Sequence, residues 1–322
     1  MALNSYLRWA GALLLASTQL GAAQTYTTCN PLKTCSADTG LAKWQFNTDF
    51  TSGSSAFDKW NTTAGTVEST SLGAKFSIEE QGDAPTIASD FYIFFGRVDV
   101  KMRAANGTGI ISTYILESDD LDEIDWFKTD YFGKGNTTTY DRGTTVSVTT
   151  PEETFHTYSI DWTSSRIKWL LDGEVVRTLE YADALNGKNF PQTPARIRIG
   201  IWAGGDPDNS EGTIEWAGGE TSYTNVPFTM YVDSINVTNY NPAQSYKYSD
   251  KTGSYTSIKI SSASKSSTSV AASSVSASVS ASAAASASAS ASMGATSGAS
   301  VSLYSSLLVT ALAAAAVGIL QL

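Results

Sequence analysis

Apolar and charged side chains alternate between residues 96 and 103: Val98, Val100 and Met102 are separated by Asp99 and Lys101 and flanked by Arg97 and Arg103. A period of two is that of a strand with one face buried. Ile167, Trp169 and Leu171 repeat the pattern and run into Asp172-Gly173, a two-residue hairpin signal, before Val175 and Arg177. Ile197, Ile199 and Ile201 alternate likewise with Arg196, Arg198 and Gly200. Apolar residues at helical spacing are absent over any useful length. Short strands, Gly and Asp turns and no strand–helix alternation predict an all-β fold, an antiparallel β-sandwich of two sheets.

The two ends follow other patterns. Arg8, the apolar run through Leu13, Leu14 and Leu15, and the small residues Gly21-Ala22-Ala23 read as a signal peptide over residues 1–23, so the mature chain is expected to start near Gln24. At the other end, small residues at Gly294, Ala295 and Thr296 precede a Ser-rich spacer and an uncharged apolar tail from Leu307 to Leu320. That order is a GPI-anchor signal over 294–322, with attachment expected at Gly294 or, alternatively, Ser297. The Ser/Ala-rich chain before it, placed at 246–293, has too little bulky apolar surface to offset its ordering entropy and reads as a glycosylated stalk. Residues 24–245 remain for one folded domain.

Composition narrows the partners. The formal charge of −10 argues against nucleic acid and against an anionic membrane surface. The two cysteines, Cys29 and Cys35, are expected to pair in an oxidising compartment and close a small loop. Sequons at Asn61, Asn106, Asn136 and Asn236 fit a secreted glycoprotein.

Exclusion directs attention to carboxylates. His156 is the single histidine, so a multi-His metal site is impossible and any Ser-His-Asp triad would have to use it. Its setting, Phe155-His156-Thr157-Tyr158, suits a structural role. The densest acidic segment is Glu117-Ser-Asp-Asp-Leu-Asp122-Glu123-Ile124-Asp125-Trp126. Glu117 to Asp122 also suits a solvated turn or a calcium loop. As a strand, however, the segment sets Glu123, Asp125 and residue 127 on one face and Ile124 and Trp126 on the other. Like charges crowded on one face raise the proton affinity of at least one of them, which a substrate cleft can use.

Asp122-Glu123-Ile124-Asp125-Trp126 resembles the Asp-Glu-Ile-Asp-X-Glu catalytic strand of family 16 glycoside hydrolases. Gln81-Gly-Asp-Ala-Pro-Thr86, Phe94-Phe95-Gly96-Arg97, Tyr131-Phe132-Gly133-Lys134-Gly135, Phe155 to Trp162 and Trp202-Ala-Gly-Gly-Asp-Pro207 are similar to blocks of the fungal Crh group of chitin–glucan transglycosylases. The resemblance implies a jelly roll of the concanavalin A-like glucanase type. It also implies a retaining double displacement with Glu123 as nucleophile and Asp125 holding Glu123 in its reactive state. It implies chitin and β-1,3- or β-1,6-glucan as substrates, a monomer, and no cofactor or catalytic metal. The location it implies is the outer leaflet of the plasma membrane and the cell wall.

At one position the pattern breaks. The family's acid/base glutamate is replaced by Phe127, and the segment before Tyr131 is shorter than the family's. General acid catalysis contributes about 10²–10⁴-fold, so loss of that group implies weak transfer from unactivated glycosidic bonds. Three readings stand: coding sequence lost from this chain, a lapsed catalyst that only binds carbohydrate, or an acid supplied from elsewhere, with Asp130 a conceivable substitute that nothing in the sequence places within reach. Sugar binding is expected from aromatic rings that stack on pyranose faces. Trp202 and Trp216 about the Gly204-Gly205-Asp206 turn, and Tyr131 and Phe132 after the acidic strand, are candidates. Lys134, between two glycines, either contacts substrate or sits in a turn. Trp162 and Trp169, in alternating strands, are expected in the core.

Overall fold

The computed structural model describes residue 27, residues 29–139 and residues 141–261. Two antiparallel sheets close on one apolar core. The first has six strands in the spatial order Thr129–Phe132, Glu123–Trp126, Ile110–Ser118, Ala195–Ala203, Thr86–Ser89 and Trp60–Ala64. The second runs Glu174–Glu180, Arg166–Leu171, His156–Trp162, Gly96–Arg103, Phe228–Asn239, Gly73–Ile78 and Val67–Thr70, with Gln45–Asp49 also pairing along Phe228–Asn239. The expected sandwich is therefore present. The three alternating segments singled out by their period are strands, and Asp172-Gly173 turns Arg166–Leu171 into Glu174–Glu180 with φ of 50° and 89°.

The core is built by the inward half of each alternation. Ile197, Ile199 and Ile201 from one sheet and Val98, Val100 and Met102 from the other belong to a single cluster and are essentially inaccessible. Two tryptophans cross this core in opposite directions. Trp126 reaches from the six-stranded sheet to donate its indole N–H to the Ser159 carbonyl at 2.9 Å, and Trp169 reaches back to the Asp125 carbonyl at 2.8 Å. A buried indole needs such a partner, and here both partners tie the Glu123–Trp126 strand to the opposite sheet. Trp162 and Trp169 lie in the core as expected.

The Cys29–Cys35 disulfide forms, with Cα atoms 5.9 Å apart. The domain does not end at residue 245. Ser245–Tyr248 and Ile258–Ser261 pair with each other, and Asp38–Thr39 adds to Ser245–Tyr248, so the first and last described strands meet in a small third sheet. Tyr246 and Ile258 pack into the main core and account for that extension. The signal peptide, the remainder of the stalk and the anchor signal lie outside the described residues.

Candidate active site

Strand parity decides what faces outward from the six-stranded sheet. Ile124 and Trp126 enter the core, so Glu123 and Asp125 project from the other face. Glu123 stands opposite Glu117 and Asp125 opposite Ile115 on one neighbouring strand. On the other neighbour, Asp125 faces Asp130 and Glu123 faces Phe132. A cleft of about 570 Å³ opens over them. Ile111, Thr113, Ile115, Glu123, Asp125, Phe127, Lys128, Asp130, Phe132 and Trp202 line it, together with Trp216 and its neighbours from the short helix Glu211–Ala217.

The electrostatics follow from partial burial among like charges. Burial, the Asp125 charge and a hydrogen bond shared with Asp125 push the Glu123 carboxyl well above its usual range. Burial likewise lifts Asp125, to about 7, while its hydrogen bond to Glu123 and the charges of Asp130 and Glu117 act in opposite senses. Each carboxyl of the pair thus favours its protonated form more than a free carboxyl does, and the two are linked by a hydrogen bond. Behind the pair, Glu117 is buried against Arg198 at 2.5 Å, placing an ion pair on the same face.

The aromatic wall has a definite build. Trp202 stacks on Trp216 with ring centroids 6.2 Å apart and planes at 23°. Trp202 is buried with Ile111 and Ala217, whereas Trp216 is half-exposed and is the more accessible of the two rings. Phe127 packs against Trp216 at 5.3 Å. Lys128 lies over the Trp216 ring at 5.2 Å and donates to the Trp216 carbonyl at 2.9 Å.

Of the residues singled out by sequence, Glu123, Asp125, Phe127, Asp130, Phe132, Trp202 and Trp216 meet in this cleft. Tyr131 and Lys134 do not line it. Tyr131 pairs with Ile124, shares its parity and is buried in the core. Lys134 occupies a turn with φ of 54°, where its backbone N–H donates to Asp122 at 2.8 Å. His156 lies on the other sheet, its two ring nitrogens bonded to Asp172 and to the Thr149 carbonyl. Asn61, Asn106 and Asn236 are exposed, and Asn136 is half-buried.

Sequence reasoning placed Asp122 in a solvated turn or calcium loop, yet it anchors the Glu123–Trp126 strand. Its buried carboxylate accepts the backbone N–H groups of Lys134, Gln192 and Thr193 at 2.7 to 3.0 Å and the Thr193 hydroxyl at 2.8 Å. Asp120 beside it accepts from Ser118, and its Oδ1 lies 2.6 Å from the same Thr193 hydroxyl, whose one hydrogen is shared between the two carboxyls. The Glu117–Asp122 carboxylates thus bond to protein donors, and no group of three or more His, Cys, Asp or Glu among the described residues is arranged to hold a metal ion.

Comparison with known proteins agrees with this geometry. The model of glycosyl hydrolases family 16 matches residues 54–218. Crh-like protein 1 of Aspergillus fumigatus is 59% identical over 261 residues, spanning 78% of this chain and 71% of that protein. Congo red hypersensitive protein 1 of Saccharomyces cerevisiae is 47% identical over 245 residues, spanning 72% of this chain and 47% of that protein. Among solved structures, a Crh5 transglycosylase in complex with NAG aligns with a TM-score of 0.70 and 57% identity, covering 72% of this chain and 99% of that one. A Bacillus licheniformis beta-glucanase at 22% identity, with a TM-score of 0.50 and covering 61% of this chain and 99% of that one, shares the fold.

Proposed function

The chain belongs to glycosyl hydrolases family 16, in its fungal Crh-like group, and on that footing we propose that it is a cell-wall transglycosylase that moves chitin or β-glucan chains onto β-glucan acceptors. One observation carries the reading: two carboxyls, Glu123 and Asp125, stand on alternate outward positions of one strand, on the floor of an aromatic-walled cleft. Glu123 attacks the anomeric carbon and forms a covalent glycosyl-enzyme, and an acceptor hydroxyl then displaces it with net retention. Asp125 stores the proton that would otherwise quench the nucleophile. Trp216 supplies the sugar-stacking ring, with Trp202 as its backing. Transfer prevails over hydrolysis where the acceptor side of the cleft holds sugar long enough to outcompete water.

The signals at the two ends support secretion and a GPI anchor at Gly294 or Ser297, with the domain displayed as a monomer at the outer leaflet and the wall. The exposed sequons at Asn61, Asn106 and Asn236 are the sites expected to carry glycans. The test of the central reading is Glu123→Gln, which removes the nucleophilic charge at nearly constant shape. It should abolish transfer from chitin oligomers to labelled glucan while leaving oligosaccharide binding within a few-fold of the parent. Transfer at the parental rate in that variant would remove Glu123 from the mechanism.

A further inference from the structure

The short connection that costs this chain the family's glutamate also brings a different carboxyl into the cleft. Only Phe127 and Lys128 separate Trp126 from Thr129, so the two strands form a tight hairpin whose register sets Asp130 directly opposite Asp125 and diagonal to Glu123. Directly opposed side chains have Cβ atoms about 4.5–5.5 Å apart, and diagonal neighbours lie about 7–8 Å apart, within reach of longer side chains. A retaining mechanism needs its two working carboxyls about 5–5.5 Å apart. Glu123 and Asp130 lie diagonally on one face over one cleft, and the longer glutamate side chain must close the gap to reach that separation.

The surroundings of Asp130 suit a proton donor. The cleft lining contains three carboxylic acids, and two of them, Glu123 and Asp125, are bonded to each other. Asp130 is the third. One of its oxygens accepts the Tyr131 backbone N–H at 2.8 Å, while the other faces Gly143, where even a Cβ would come within 3.0 Å. Glycine at 143 thus leaves the second oxygen uncrowded. Phe127 and Phe132 supply apolar surface on the same cleft wall. Burial raises the proton affinity of Asp130, and the Tyr131 N–H with the nearby cations Arg142, Arg177 and Lys128 restrains that rise. Glu123 and Asp125 face it from the adjacent strand. The outcome is a carboxyl with a higher proton affinity than a free aspartate, set beside the nucleophile pair.

We infer that Asp130 is the acid/base of this chain, taking the role that the missing glutamate has in its relatives. The inference rests on the reading of Glu123 as nucleophile. In the first step the Glu123 carboxylate bonds to the anomeric carbon, the bond to the leaving sugar oxygen breaks, and the Asp130 proton passes to that oxygen. In the second, the Asp130 carboxylate takes the proton of the acceptor hydroxyl as that oxygen bonds to the anomeric carbon and Glu123 departs as carboxylate. Asp130 ends protonated, as it began. A purely structural Asp130, tying the hairpin to its neighbouring arginines, would make none of these transfers.

The experiment compares the full chain with Asp130→Asn and Asp130→Glu on two donors, a chitin oligomer and a chitin-oligosaccharide fluoride, with and without azide. The parent should transfer from both donors. Asp130→Asn should lose about 10²–10⁴-fold on the oligomer yet still form the glycosyl-enzyme from the fluoride, whose leaving group needs no proton. Azide needs no base, so it should restore turnover of that intermediate and yield a glycosyl azide. Asp130→Glu should recover part of the oligomer activity. The dependence of oligomer transfer on the Asp130 proton should vanish in Asp130→Asn, leaving a pH profile that follows Glu123 and Asp125 alone. Parental oligomer transfer by Asp130→Asn, equal loss on both donors without azide rescue, or a parent active on the fluoride alone would each overturn the assignment. A parent inactive on both donors would instead overturn the underlying reading of the site.

Discussion

Asp122 offers the sharpest test of how the catalytic strand is held. Its carboxylate takes four hydrogen bonds, three from backbone N–H groups in two separate segments, and is almost fully buried. Asp122→Ala leaves those three donors without a protein acceptor. An unsatisfied buried donor costs about 1–3 kcal/mol, and partial access of water to the space vacated brings the expected total to about 3–6 kcal/mol. That is a large share of a typical stability of about 5–15 kcal/mol. Asp122→Asn is milder. Its single oxygen can keep the Gln192 and Thr193 bonds, but the amide then meets the Lys134 N–H donor to donor. One lost acceptor predicts about 1–3 kcal/mol, less whatever is recovered by removing a charge that burial and Asp120 disfavour. Urea unfolding of parent and variants reads these differences as midpoint shifts, with a slope of about 1–3 kcal/mol/M. The order should be parent, Asn, Ala. Because Asp122 adjoins Glu123, transfer by the Asn variant should fall even at temperatures where it is folded. An Ala variant within 1 kcal/mol of the parent, or an Asn variant less stable than Ala, would refute the reasoning.

Three further outcomes are expected. Burial lifts Asp38 to about 8 in the folded protein, against an ordinary carboxylate value of about 3.9, so between about pH 4 and 8 the folded state holds a proton that the unfolded chain has released. The stabilisation is complete below the unfolded value and is lost as pH rises towards 8, so calorimetry should give a higher Tm at pH 5 than at pH 8; a Tm that rises over that interval would contradict it. Trp216→Ala should weaken oligosaccharide binding by roughly tenfold, measured by calorimetric titration, while Trp162→Phe, in the core, should change stability and leave affinity unaltered. Phosphatidylinositol-specific phospholipase C should release the protein from membranes, and mass spectrometry of the mature chain should find residues 307 to 322 absent; a protein that keeps them has no GPI anchor.

The fold was legible because period-two alternation is a direct imprint of a sheet with one buried face. The same logic placed Glu123 and Asp125 on the open face and Trp162 and Trp169 within. It failed where function depends on register across strands, which local spacing does not encode. Tyr131 looked like a cleft residue from its position after the acidic strand, yet the hairpin gives it the parity of Ile124 and hence the core. Asp130 carried no signal of proximity for the same reason: only the two-residue turn at Phe127-Lys128 sets it against Asp125. Lys134 and Asp122 meet through a backbone N–H, a contact that leaves no mark on side-chain pattern. Residues 246–261 lack a run of bulky apolar side chains, but Tyr246 and Ile258 suffice to dock them, which carries the domain past its expected edge.

The pairing order of the larger sheet bears on how the protein is made. Gln45–Asp49, Gly73–Ile78 and Gly96–Arg103 all take Phe228–Asn239 as a partner, so a strand synthesised late is the spine for strands synthesised early. At about 5–20 residues per second, the first of them waits roughly 10–40 s for that spine to emerge. Throughout this interval its edge is open to mispairing. Assembly of this sheet is therefore not a vectorial process that follows the ribosome. It is a closure event gated by the last fifth of the domain, and it concentrates the nascent chain's need for chaperone protection before that gate is passed.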